Sequence, residues 1–165
     1  MIMLLEILYQ ATNIFFMKTA RDIMSSKIIT MELDVTPTEI AKIMSKNNVG
    51  SIIITKNQTP FGIITEHDII SKIVAQNKLP SETKTVDVLT TPLVVVSPLT
   101  PVDEIAEKMM LKKIRRIVVM DKDQAVGIVT VTDFVKNLHS MLTDSENYDR
   151  DLYQGIIEDW EHWTS

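Results

Sequence analysis

The apolar positions of this chain fall into short blocks, and the same order of blocks occurs twice. Ile28-Ile29-Thr30-Met31 and Leu93-Val94-Val95-Val96 are short apolar, β-branched runs, which predict strands. In Glu39-Ile40-Ala41-Lys42-Ile43-Met44 and in Glu104-Ile105-Ala106-Glu107-Lys108-Met109 the apolar residues recur at helical spacing. Thr36-Pro37 and Thr100-Pro101 each offer an N-cap followed by proline at the first helical position. These caps are 64 residues apart, which predicts that the second helix starts one residue early against the 65-residue offset of the other blocks. Ser51-Ile52-Ile53-Ile54 and Arg116-Ile117-Val118-Val119 are continuous runs, the pattern of a strand covered on both faces. Lys56 to Pro60 and Asp121 to Gln124 are short and polar and read as hairpin turns. A further strand and a final helix follow, the helices running to about Ala75 and about Ser140.

The join between that last strand and helix is the most similar stretch of the two copies. It reads Gly62-Ile63-Ile64-Thr65-Glu66-His67-Asp68-Ile69-Ile70 and, 65 residues on, Gly127-Ile128-Val129-Thr130-Val131-Thr132-Asp133-Phe134-Val135. Thr-x-x-Asp before an apolar run is a capping box, in which hydroxyl and carboxylate satisfy the open amides of a starting helix. Arg21-Asp22-Ile23-Met24 and Val86-Asp87-Val88-Leu89 extend the match toward the front of each copy. The offset predicts an α/β fold of two β-α-β-β-α repeats, packed sheet to sheet with pseudo-twofold symmetry. At about 60 residues, neither copy would bury its sheet well alone. The predicted organisation is a helical apolar segment (1–16), a first repeat (17–80), a second repeat (81–140) and an acidic tail (141–165). In the tail, Leu152, Tyr153, Ile156, Ile157, Trp160 and Trp163 fit one helical stripe, so a short amphipathic helix is expected between Asp151 and Trp163.

Composition narrows the function. Of 165 residues, 45% are hydrophobic and none is cysteine, which removes disulfides, thiolate metal sites and cysteine nucleophiles. The net charge of −5 is concentrated in the tail, and no basic stripe marks a nucleic-acid partner. The stretch 1–16 has no basic n-region and is interrupted by Glu6, Gln10 and Asn13. It is expected to be a docked helix rather than a signal peptide or a transmembrane segment. Translation from Met17 and a membrane-surface anchor are the alternatives. A cytoplasmic protein is expected. There is no Gly-x-Ser-x-Gly and no phosphate loop, and the histidines (His67, His139, His162) are scattered. No enzyme, catalytic residue or catalytic cofactor is therefore expected. His67 lies between two carboxylates, but the second copy has no matching histidine, so no metal site is expected.

The ordered set of blocks resembles the CBS domain, and two in tandem resemble a Bateman module, here as a stand-alone pair. The residues that carry the resemblance are Asp22-Ile23-Met24, Glu39-Ile40-Ala41 with Met44, Gly62-Ile63-Ile64-Thr65 with Asp68, and their counterparts. Lys113 to Asp121 also resembles the family's second-strand pattern, and the likeness covers about residues 20 to 140. It implies a regulatory module that binds AMP, ADP or ATP, forms a homodimer through helical faces, and signals to an effector protein. The alternatives are a structural or interaction module with degenerate sites, or another adenosyl ligand such as S-adenosylmethionine.

In such a site Thr130 with Asp133, and Thr65 with Asp68, would accept ribose hydroxyls. Arg115 and Arg116 would meet phosphate, for which the planar guanidinium is suited. Side chains alternate along a strand, so only one of the two arginines need face Asp133. The family supplies base contacts from the opposite repeat: Met24, Ser25, Ile28 and Ile29 for the Asp133 site, and Leu89, Thr90, Leu93 and Val94 for the Asp68 site. Gly50-Ser51 stands where the second repeat has Arg115-Arg116. The Asp68 site must then borrow a cation, take a less charged ligand, or stay empty, and the Asp133 site is expected to bind more tightly. The plainer alternatives are that both aspartates only cap helices and that the arginines continue the solvated face of Lys112-Lys113.

Overall fold

A computed structural model describes residues 18–143; the segment 1–16 and nearly all of the acidic tail, with the helices expected there, lie outside the described residues. The chain opens with a one-turn helix α1 (Ala20–Ile23), then β1 (Thr30–Glu32), α2 (Pro37–Asn47), β2 (Ser51–Lys56), β3 (Thr59–Thr65) and α3 (Glu66–Lys72). Short 3-10 turns at Val74–Gln76 and Thr85–Asp87 lead to β4 (Val95–Val96), α4 (Val102–Lys112), β5 (Arg116–Asp121), β6 (Gln124–Thr130) and α5 (Val131–Thr143). The sheets have the orders β1-β2-β3 and β4-β5-β6. In each, the first pair is parallel and the second antiparallel. This is the expected α/β pair of repeats.

Local chemistry fixes most boundaries. The Thr36 hydroxyl accepts from the Glu39 amide while the Glu39 carboxylate accepts from the Thr36 amide at 2.8 Å, a complete capping box with Pro37 at the first helical position. The β2–β3 hairpin turns on Asn57 and Gln58, both at positive φ, as a two-residue type I′ turn requires. The sequence misplaces the start of α4. Pro101, not Thr100, is its N-cap, and the helix begins at Val102, in step with the 65-residue offset from Pro37. Thr100 is occupied elsewhere: its hydroxyl accepts from the Ser97 amide and its carbonyl from the Ala20 amide. The Val102 amide donates to the Lys18 carbonyl at 3.0 Å instead of to a capping side chain. Strands β1 and β4 start two residues later than their apolar runs suggest.

The lead segments explain that delay. Ser25 and Ile128 exchange backbone hydrogen bonds at 2.9 and 3.0 Å, and Thr90 and Ile63 do the same at 2.8 and 3.0 Å. Each repeat's lead segment therefore runs against the other repeat's Gly-led strand before joining its own sheet. Gly62 and Gly127 make this approach possible, since a Cβ there would run into Leu89 and Met24 respectively. The exchange continues into the interior. Ala20 and Ile23 are buried with Val102, Ile105, Ile117 and Val129 of the second half, whereas Val88 and Leu89 are buried with Ile40, Ile52, Ile54 and Ile64 of the first. On β2 and β5, Ile53 and Val118 are buried on the opposite face, which is why these strands read as continuous apolar runs.

Candidate functional site

Two clefts open where β3 and β6 end and their helices begin. The larger, of about 540 Å³, is walled by Ser25, Ile28 and Ile29 from the first lead segment, by Thr130 and Asp133 from the β6–α5 join, and by Arg115 and Arg116 at the start of β5. The smaller, of about 270 Å³, is walled by Thr65 and Asp68 from the β3–α3 join, by Thr90, Leu93 and Val94 from the second lead segment, and by the same two arginines. The exchange of lead segments thus brings the expected base residues of one repeat beside the Thr-x-x-Asp of the other. Met24 and Leu89 are the exceptions. They stand against Gly127 and Gly62 and pack into the cores instead of lining a cleft.

Both aspartates are capping residues. Asp133 Oδ2 accepts from the Thr130 amide at 2.7 Å and from its hydroxyl at 2.6 Å, and Asp68 Oδ2 accepts from the Thr65 amide at 3.0 Å and its hydroxyl at 2.6 Å. They differ at the other oxygen. Asp68 Oδ1 receives the Lys72 ammonium at 2.7 Å and the Thr90 hydroxyl at 3.3 Å. A carboxylate has about four acceptor positions, and those of Asp68 are filled. Asp133 Oδ1 accepts no hydrogen bond among the described residues, and Asp133 is half-buried rather than buried. Burial alone would raise the Asp68 carboxyl, yet hydrogen bonds from Lys72 and Thr65 outweigh it and hold the group below the ordinary carboxylate range.

The arginines are not divided between the clefts, as strand alternation suggested; both border both, because each cleft reaches the start of β5. Arg116 Nη1 crosses toward the first repeat and donates to the Gly50 carbonyl. A side chain at position 50 would press on Glu66 and on this guanidinium, so the glycine that stands opposite Arg115 in the repeat alignment makes room for Arg116. Burial lowers the Arg116 pKa and nearby Glu66 raises it; the group stays a cation, as guanidinium does in proteins. Sequence reasoning missed Lys27 and Lys136, which join the two arginines on the wall of the larger cleft, against Glu66 and Asp133. Lys136 could have been found, since it lies three residues past Asp133 on a helix and so shares its face. His67 borders the smaller cleft, but among the described residues no cluster of three or more His, Asp or Glu could hold a metal.

Residues 20–75 and 86–140 each match the CBS domain. The chain belongs to the CBS-domain family. This tandem CBS pair is 36% identical over 111 residues to protein MK0525 of Methanopyrus kandleri, spanning 66% of this chain and 57% of that one. It is 36% identical over 115 residues to L-aspartate semialdehyde sulfurtransferase of Methanocaldococcus jannaschii, covering 68% of this chain and 22% of that enzyme. A stretch similar to this chain thus occurs within an enzyme, and the chain spans little more than half, or less, of these two relatives. Among solved structures, the CBS domain pair of protein MJ0100, in complex with 5'-methylthioadenosine and S-adenosyl-L-methionine, superposes with a TM-score of 0.68 at 31% identity, covering 75% of this chain and 98% of that one. Among the described residues no helix is long and apolar enough to cross a membrane.

Proposed function

We propose that this CBS pair is a regulatory module that binds an adenine nucleotide in the Asp133 cleft and passes occupancy to a partner protein. The observation that carries the reading is the open oxygen of Asp133, held in place by Thr130 on a cleft whose wall carries Lys27, Arg115, Arg116 and Lys136. The carboxylate suits a ribose diol, Ile28 and Ile29 offer an apolar surface for the base, and the cations suit phosphate. The adenosyl ligands named for the MJ0100 pair support the nucleoside part. The excess of cations over carboxylates on the wall favours an anionic tail over the sulfonium of S-adenosylmethionine. In this reading the chain does no chemistry of its own, works in the cytoplasm where nucleotides are abundant, and acts as a homodimer. The sequence's other reading, an interaction module with degenerate sites, is the outcome if nothing binds.

Calorimetric titration with AMP, ATP, adenosine and S-adenosylmethionine tests the reading. Wild-type protein should bind AMP or ATP, and Asp133→Ala should remove that binding. Binding of S-adenosylmethionine in preference to every nucleotide would overturn the anionic-tail assignment, and no binding of any of them would overturn the sensor.

A further inference from the structure

The two clefts carry the same Thr-x-x-Asp, yet one turn further along the helix they differ. Position 72 is lysine and position 137, its counterpart, is asparagine. Lys72 Nζ sits 2.7 Å from Asp68 Oδ1, donates to the Val88 carbonyl at 2.6 Å, and reaches the Thr90 hydroxyl at 3.5 Å. The Thr90 hydroxyl in turn donates to Asp68 Oδ1 at 3.3 Å. The ammonium is thus fixed on three oxygens, and the aspartate beside it is buried. Asn137 is used differently: its Nδ2 donates to the backbone carbonyl of Asp133 at 2.9 Å, and its Oδ1 accepts from Lys18 at 3.4 Å.

We infer that Lys72 is a built-in lock on the first cleft, occupying the Asp68 oxygen that a ribose would need, so that each chain offers one open nucleoside site rather than two. The inference rests on the reading of Asp133 as a ribose acceptor. A diol must donate to the carboxylate oxygen that the capping threonine leaves over. In the second cleft that oxygen is open. In the first it is filled by a charge-assisted bond, stronger than a neutral hydroxyl makes. A ribose could enter only by displacing the ammonium, which would leave a cation without its counter-charge in a part-buried place. The first cleft shares Arg115 and Arg116 with its twin, so what the lock withholds there is a free acceptor, not a phosphate cation.

Replacing Lys72 tests this in a direction that charge alone would not produce. Lys72→Asn copies the second repeat, and Lys72→Met keeps the stem without the donors. Each is made in wild-type protein and in Asp133→Ala, its fold is checked by thermal melting, and it is titrated with adenosine and AMP. Wild type should bind one equivalent per chain, Asp133→Ala none, and Asp133→Ala/Lys72→Asn should regain one equivalent. Simple loss of a cation would weaken AMP instead. One equivalent in wild type with no gain in either folded Lys72 variant overturns the lock alone. Two equivalents in wild type, or undiminished binding by Asp133→Ala, also overturn it, without need of any Lys72 variant. No uptake by wild type but uptake by the Lys72 variants supports the lock and overturns the Asp133 reading; no uptake by any protein overturns both.

Discussion

Arg116 reaches across to the Gly50 carbonyl while bordering both clefts, so its guanidinium is partly fixed before any ligand arrives. A preset donor favours phosphate because little side-chain freedom remains to be lost on binding. Arg116→Ala should weaken AMP and ATP by about tenfold or more, since hydrogen bonds to charged groups contribute about 1.5–3 kcal/mol and a decade is about 1.4 kcal/mol. Adenosine should bind nearly unchanged, because it makes no use of the cation; equal losses for all three in calorimetry would remove the phosphate role. Asp68 makes a separate prediction. Its folded pKa lies below the ordinary 3.8, so its stabilisation is present above that value and is lost as pH falls through the lower folded value. Asp22 and Glu39 are lowered too, chiefly by the Thr19 and Thr36 amides they accept from, so acid unfolding draws on several caps at once. Asp68→Asn should be less stable than wild type at pH 7, and the gap should narrow on acidification below pH 3.8 in denaturant melts. At this scale the Thr-x-x-Asp pairs were legible because a capping box is a local pattern. The difference between Lys72 and Asn137 stood in the sequence at matched positions, but it has meaning only once the lead segment brings Val88 and Thr90 beside the ammonium.

Among the elements, helices α2 and α4 and the two hairpins were legible in the sequence, since periodicity, caps and turn residues determine them locally. Strands β1 and β4 were less so. Their apolar runs begin at Ile28 and Leu93, but the backbone just before is already spent on the partner repeat's strand, at Ser25–Ile128 and Thr90–Ile63. Pairing between distant segments leaves no periodic trace. The two glycines, inside β3 and β6, are a local sign of it, since each leaves room for the crossing segment. The consequence is measurable. Gly62→Ala would press on Leu89 and, at 2.9 Å, on the Thr90 carbonyl of the crossing backbone, whereas Gly127→Ala would press on the flexible Met24 side chain and less tightly, at 3.1 Å, on the Ser25 carbonyl. Overpacking costs about 1–3 kcal/mol, so Gly62→Ala should lose that much in denaturant melts and Gly127→Ala less. The reverse order would mean that the lead segments do not hold these positions. A cap can be tested on the same scale: Thr36→Ala removes the hydroxyl that meets the Glu39 amide and should cost about 1 kcal/mol.

For the whole molecule, the 65-residue offset made the pseudo-twofold legible, but not the exchange that unites its halves. Because Ala20 and Ile23 complete the second core and Val88 and Leu89 the first, the pair should melt in one transition. The faces that the pair leaves outward are unequal. On α4, Met110 and Leu111 are 77% and 74% exposed, where the first repeat has Ser45 and Lys46. Beside Met110 lies an apolar hollow of about 460 Å³, lined by Ala106, Met109, Ile114, Val131 and Phe134. Exposed apolar patches of this kind mark association surfaces. The homodimer proposed for this chain should therefore form through the second repeat, each copy presenting α4 and the start of α5 to the other in an isologous contact. A carboxylate in the middle of such a contact would be taken out of water twice, once from each copy, a cost that Lys113 and Arg115 at the border of the hollow offset only in part. Met110→Glu should then reduce the light-scattering mass from two chains to one at micromolar protein, while Ser45→Glu, at the matching place on α2, should leave two. A wild-type mass of one chain would exclude the dimer. A Met110→Glu mass that stays at two chains would move the interface elsewhere, and loss of the dimer in Ser45→Glu would shift it to the first repeat.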